Sequence, residues 1–274
     1  MKIIKKFMKF IALMLYLILA VIPLYWITIT SLKDIKEVFV FPIKYLPQVI
    51  SFESYRKLFA FTNFAIYFRN SLIVALIASF GTLLITVFSG YAISRCDFKF
   101  KRSILIGLFF TQAIPGFLVL VPLYTMFAKV GMLDKLPSLM LLYINIMIPF
   151  SAIMAKSFFD RIPISLEEAA QVDGCSRVQA LFKIVIPLTL PGLSAIFCFC
   201  FINTWNELFL AVMFINSDLK MTIPVALNSF ISKIGVGWDI LSAGIVISLI
   251  PTLVIYAFAQ RYIVAGLTGG AIKG

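Results

Sequence analysis

The chain has 274 residues, 62% of them hydrophobic and only 13% charged, with a strongly positive mean hydropathy. Soluble globular domains are roughly half apolar and about a quarter charged, so this composition excludes a water-soluble protein and implies a membrane-embedded one. The formal charge is +12 with no histidine; Lys and Arg sit at the ends of apolar runs rather than in one patch, which suits lipid headgroups and not nucleic acid, and the usual proton shuttle and metal ligand is missing.

In chain order, the N-terminus carries Lys2, Lys5, Lys6 and Lys9, and an apolar run covers 7–30. That run is longer than a signal-peptide core, lacks a small-residue cleavage site and can cross about 30 Å of hydrocarbon, so it is expected to be an uncleaved first span, bent at Pro23. Segment 31–69 is the longest polar stretch, broken by Pro42 and Pro47. Further spans are expected at 71–94, 104–127, 136–158, 193–214 and 241–262. Pro115 and Pro122 fall in the third, Pro149 in the fourth and Pro251 in the sixth; kinks of this kind persist where neighbouring helices re-satisfy the freed carbonyls. With no repeat or linker visible, 1–274 reads as a single transmembrane domain, an all-α polytopic membrane protein of six transmembrane helices with a helix–Gly–helix loop between spans four and five.

Six spans put both termini on one side. That side holds the N-terminal lysines, Arg95, Lys99, Lys101 and Arg102 after span two, Lys156, Arg161, Arg177 and Lys183 between spans four and five, and Arg261 and Lys273 at the C-terminus. The opposite short loops hold Lys129, Lys135, Lys220 and Lys233. The positive-inside rule therefore places both termini and the 160–190 loop in the cytoplasm.

Within 160–190, Pro163 is followed by Ser165 and Glu168, spaced as a capping box. Glu167 and Glu168 set negative charge at the positive end of the helix dipole. Leu166, Ala169, Ala170 and Asp173 share a helical face, and Gly174 is suited to ending the helix with a positive φ. Val178, Leu181, Phe182 and Val185 line the apolar face of a second short helix, which Pro187 is expected to interrupt, with Pro191-Gly192 marking where the next span starts. The spacing suits a helix–Gly–helix protrusion, and equally an amphipathic loop lying on the membrane surface.

Glu168-Ala169-Ala170, Gly174, Ile184 and Pro187 also fit the pattern E-A-A-x3-G-x9-I-x-L-P, with Ile186 where leucine is usual. On this motif the chain resembles the membrane-spanning subunits of bacterial ABC importers. Asn70-Ser71-Leu72, Tyr91-Ala92, Pro122-Leu123-Tyr124, Pro149-Phe150, Trp205-Asn206-Glu207, Gln260-Arg261 and the tail 266–274 extend the likeness to carbohydrate-uptake permeases, specifically the six-span subunits of the maltose-importer type. The resemblance implies a non-catalytic subunit without cofactor in a bacterial cytoplasmic (inner) membrane. It would pair with a second permease subunit, two ATP-binding subunits and an extracytoplasmic solute-binding protein that delivers a sugar or oligosaccharide. It also implies that 160–190 is the coupling loop, with Glu168, Ala169, Ala170, Asp173, Gly174, Ile184 and Pro187 docking on the ATPase, and that the tail touches the same partner.

Other signals are sparser. No Gly-x-x-x-x-Gly-Lys-Ser/Thr phosphate loop is present, so ATP hydrolysis would fall to a separate protein. Glu207 is expected well inside span five, where a charge needs a partner or water; with Asn203 and Asn206 it is a pore or gate candidate, or else it makes a helix–helix hydrogen bond or marks an interface position. Gln112 and Asn145 belong to the same lumen candidates, and Cys96, Cys175, Cys198 and Cys200 have no metal-ligand spacing. The loop 216–239 is the expected surface for the solute-binding protein. An importer permease for another small solute is the near alternative. An ion-coupled secondary transporter would need repeated halves and more intramembrane ionisable groups.

Overall fold

The computed structural model describes residues 2–232 and 235–269 and is almost wholly helical. Its helices are α1 (Lys2–Ser31), α2 (Ile35–Val38), α3 (Glu53–Phe61), α4 (Phe64–Arg95), α5 (Lys101–Ala113), α6 (Gly116–Lys129), α7 (Leu136–Phe159), α8 (Ile164–Val172), α9 (Arg177–Ala180), α10 (Ile186–Trp205), α11 (Phe209–Phe214), α12 (Ile223–Ser229) and α13 (Trp238–Gly269). A π-helical turn, Leu181–Val185, fuses α9 to α10, and a two-residue antiparallel ladder pairs Ile231 with Val236 and Ser232 with Gly235.

Among the described residues five stretches are long and apolar enough to cross a membrane: Ile4–Ser31, Phe64–Arg95, Leu136–Phe159, Arg177–Trp205 and Trp238–Gln260. A sixth arises only if α5 and α6 count together, because the expected third span is broken rather than kinked. Pro115 bars the residue before it from helical dihedrals, and Ile114 accordingly sits at φ −79°, ψ 118°.

Span five differs most from expectation. It starts at Arg177 instead of 193 and ends at Trp205, leaving α11 as a separate turn. Pro187 does not stop it. The widened π turn carries the Ile186 N–H back to the Leu181 carbonyl, and that extra residue accommodates the proline ring at the start of α10. Pro191-Gly192 lies inside α10, where Gly192 admits the Phe158 ring; a Cβ there would come within 2.4 Å of it. At the other end, α13 continues past the expected limit of 262 as far as Gly269, and the tail beyond, 270–274, lies outside the described residues.

The chain divides into two compact units. One comprises Met1–Tyr67 and Val225–Ile250. Here the Ser31 and Tyr55 hydroxyls share a hydrogen bond of 2.8 Å, and Lys57 Nζ lies 3.7 Å from the buried Asp239 carboxylate. The segment read as polar presents Phe41, Tyr45, Val49 and Phe52 at its surface.

The other unit comprises Phe68–Pro224 and Pro251–Gly274. Its core joins Val87 of α4, Ala155 and Phe159 of α7, Leu181 and Val185 of the π turn, and Leu193, Ile196 and Cys200 of α10. At one end of α4, Asn70 Nδ2 donates to the carbonyls of Leu219 and Met221 at 3.0 and 3.1 Å, and the Ile223 N–H donates to Ser71 Oγ at 2.7 Å. Asp134, at φ 55°, fastens the same loop: its carboxylate accepts from the N–H groups of Asn216 and Ser217 at 3.0 and 2.9 Å and from Lys220 Nζ at 2.7 Å.

Candidate coupling site

The helix–Gly–helix unit expected at 160–190 is present, and its base is built by the far end of α4. Tyr91 and Arg95 lie four residues apart, on one face of that helix. Tyr91 OH donates to Glu167 Oε2 at 2.6 Å, and Arg95 Nε donates to Glu167 Oε1 at 2.6 Å. Arg95 Nη2 donates to the Ile162 carbonyl at 2.7 Å and Nη1 to Ser94 Oγ at 3.2 Å, so all three guanidinium nitrogens are engaged. The fork is planar and rigid, which fixes the side chain in one orientation. Glu167 is buried, and the Arg95 side chain is only 9% exposed. Charge-assisted bonds of this length offset the desolvation only because the remaining polar atoms are also satisfied.

The network continues into α7. Ser94 Oγ donates to Asp160 Oδ1 at 2.6 Å, and Lys156 holds Asp160 Oδ2. Burial alone would raise the Asp160 pKa, but the hydrogen bonds from Lys156 and Ser94 outweigh it and hold the carboxyl below its ordinary range. The ends of α4 and α7 and the first turn of α8 are thereby joined through side chains.

The start of α8 differs from expectation. Pro163 occupies the cap position, α8 begins at Ile164, and Ser165 lies inside the first turn without capping it. Arg95 pins the Ile162 carbonyl and Pro163 presets its own φ, so the helix starts before Ser165 can serve. The capping box belongs to α9 instead: Gln179 N–H donates to Ser176 Oγ at 3.3 Å, and Ser176 N–H donates to Gln179 Oε1 at 2.8 Å.

Gly174 ends α8 as expected, at φ 88°. Cys175 N–H donates to the Ala170 carbonyl and Gly174 N–H to that of Gln171, the paired bonds of a Schellman cap. The face read as common to Leu166, Ala169, Ala170 and Asp173 is split. Ala170 is buried with Glu167, whereas Leu166, Glu168, Ala169, Asp173 and Gly174 are exposed. The second helix divides likewise: Leu181 and Val185 turn into the core, while Val178 and Phe182 remain outside. Ile184 is half-buried and Pro187 exposed. The unit thus has an anchored side and an open side, and the motif residues Glu168 and Ala169 lie on the open one.

The intramembrane candidates are not gathered into one site. Glu207 lies in the break between α10 and α11, not well inside a helical span. Its carboxylate accepts from the N–H groups of Leu210 and Ala211 at 2.9 and 3.2 Å and from Tyr143 OH at 2.7 Å, so it closes the first turn of α11 and ties it to α7. Asn203 on α10 and Asn206 at its C-terminal cap are exposed, each donating its amide to that helix at 2.8 Å, to the carbonyls of Phe199 and Ile202. Gln112 and Asn145 are exposed as well.

Residues 82–269 match the family of binding-protein-dependent transport system inner membrane components. The chain is 34% identical over 267 residues to the sulfoquinovosyl glycerol transport system permease of Agrobacterium fabrum, covering 97% of this chain and 94% of that protein. It is 33% identical over 254 residues to a diacetylchitobiose uptake system permease of Streptomyces coelicolor, covering 93% and 92%. This chain belongs to that family of inner-membrane transport components. The permease fold agrees: a chain of a bacterial ABC transporter involved in import of the acidic polysaccharide alginate superposes with a TM-score of 0.84 at 24% identity, covering 95% of this permease and 96% of that chain.

Three residues that build the permease's loop base carried only weak signals in the sequence. Tyr91 stood within a motif but without a role, Arg95 as one basic residue near a span end, and Glu167 as a charge favouring a helix N-terminus. Their i, i+4 spacing marks Tyr91 and Arg95 as one surface. No local pattern names a partner 72 positions away.

Proposed function

We propose that this permease carries a sugar or oligosaccharide, delivered by an extracytoplasmic solute-binding protein, across the bacterial cytoplasmic membrane. The energy comes from ATP hydrolysed on two separate cytoplasmic subunits, and a second permease completes the pathway. The observation that carries this reading is the two-sided loop: anchored at Glu167, open at Glu168 and Ala169, and ended by the strict Gly174 turn. Glu168, Ala169, Asp173 and Gly174 meet the ATPase; Ala170, Ile184 and Pro187 shape the loop behind them. A cytoplasmic position for this loop and both termini is supported by the basic residues at 95–102 and 156–183. The residues 1–274 act as one permease domain, Asn203 and Asn206 face the translocation pathway, and Glu207 holds the α10–α11 break beside it. The carbohydrate preference rests on relatives whose names specify sugar substrates. A permease for another class of small solute is the second reading.

The test is a complex reconstituted with its ATPase and solute-binding protein. Cysteine at Ala169 should crosslink to the nucleotide-hydrolysing subunit. Gly174→Pro, which forbids the positive φ, should abolish stimulation of ATP hydrolysis by the loaded binding protein. Uptake of labelled diacetylchitobiose against methionine separates the sugar reading from the second. ATP-independent uptake, or an Ala169 surface that reaches only lipid, overturns the importer.

A further inference from the structure

We infer that Arg95 is a positioning residue that makes α8 and the end of α4 one mechanical body, so that a push on the loop moves span two. This rests on reading 160–190 as the ATPase-docking loop. Chain connectivity joins α8 to α7, through 160–163, and to α10, through α9 and the π turn, against which α8 also packs. A load on the open face of α8 would then pass to those two spans, with the short turn at 160–163 serving as a pivot. α4 lies far from α8 in sequence, and among the described residues its polar links to α8 are the two bonds to Glu167, from Tyr91 OH and Arg95 Nε.

The geometry suits load transfer better than simple capping. Arg95 grips α8 through Glu167 and, through Nη2, the carbonyl of Ile162 in the pivot itself. One planar group thus fixes both the lever and its hinge. Tyr91 holds the second carboxylate oxygen, and its ring meets Phe159 edge-on at 6.0 Å, so Glu167 cannot swing about the Arg95 contact. Ser94 and Asp160 close the loop back to Lys156 of α7. Water competes little, because Glu167 is buried and the Arg95 side chain is only slightly exposed.

The experiment uses the assembled transporter in nanodiscs, with Cys96, Cys175, Cys198 and Cys200 replaced and spin labels at Val172 on α8 and Leu84 on α4, both highly exposed. Distances are read without nucleotide and with ATP trapped by vanadate. In the parent, one narrow distance should persist in both states. In Arg95→Met, trapping should produce a second population displaced by about 5 Å, one helical turn, and Arg95→Lys should show a smaller fraction of it. A parent distance that changes on trapping, or an Arg95→Met distance unchanged in both states, overturns the inference. Should Arg95→Met fail to assemble, Arg95→Lys and Tyr91→Phe are judged by the same two criteria. Failure of the Ala169 crosslink would instead refute the docking of the loop and leaves the rigidity measurement standing.

Discussion

At the Asn70 end of α4 the fastening runs from side chains to backbone. Asn70, Ser71 and Asp134 bond the amides and carbonyls of 216–223, with Lys220 as a half-exposed counter-charge. At the Arg95 end it runs mainly between side chains, through a largely buried guanidinium and a buried carboxylate, with one bond to the Ile162 carbonyl. The first arrangement fixes the path of a loop by many replaceable contacts, and losing one leaves the rest in place. The second concentrates the attachment in one ion pair, whose halves are each costly without the other. The end that is read as receiving force therefore has the stiffer and more brittle joint.

Breaking that joint should give the largest effect. Glu167→Ala leaves the largely buried Arg95 without its counter-charge and should lower stability by about 3–5 kcal/mol, read as a fall in the thermal unfolding midpoint in detergent; a change comparable with a surface substitution would refute the contrast. Asn70→Ala removes two backbone contacts at the opposite end and should cost about 1–3 kcal/mol, with the 216–223 loop gaining hydrogen exchange while 160–175 does not. Ser176→Ala tests the capping box of α9 and should cost about 1 kcal/mol, whereas Ser165→Ala, the expected cap, should be close to neutral.

The smallest effect is set by pH. The hydrogen bond from Lys220, followed by those from Ser217 and Asn216, holds Asp134 well below the ordinary carboxylate range. A folded-state pKa lower than the unfolded one stabilises above the unfolded value, about 3.9 for aspartate, and that contribution is lost as pH falls through the folded value. Stability measured from pH 5 downward should therefore decline partly through this staple, and Asp134→Asn should flatten the decline. An unchanged slope in that variant would remove Asp134 from the account. Its half-exposed lysine keeps the contribution modest, since solvent screens the pair.

The ends of the predicted spans were legible where apolar runs meet charge, as at Arg95 and Phe159, because transfer into hydrocarbon is decided by local composition. Span five was misplaced because Pro187 reads locally as a stop. Its effect depends on whether the backbone can widen by one residue, and the packing of Leu181 and Val185 into the core holds that widened turn. Glu168 stood out through its motif, whereas the anchoring role of Glu167 did not, since adjacent glutamates look alike in sequence.

By itself the sequence determined that the chain is a bundle of membrane-crossing helices interrupted by one polar helix–Gly–helix unit. Hydrophobicity, charge bias and the need for glycine at a positive φ are properties of short segments. Only the tertiary structure decided which glutamate is buried, which helix start is capped by a side chain, and that Glu207 closes a turn of α11. These outcomes depend on residues distant in sequence arriving together, Tyr91 and Arg95 at Glu167 and Tyr143 at Glu207. A buried charge is placed where its partners are, and the partners are set by the packing of helices rather than by neighbours along the chain.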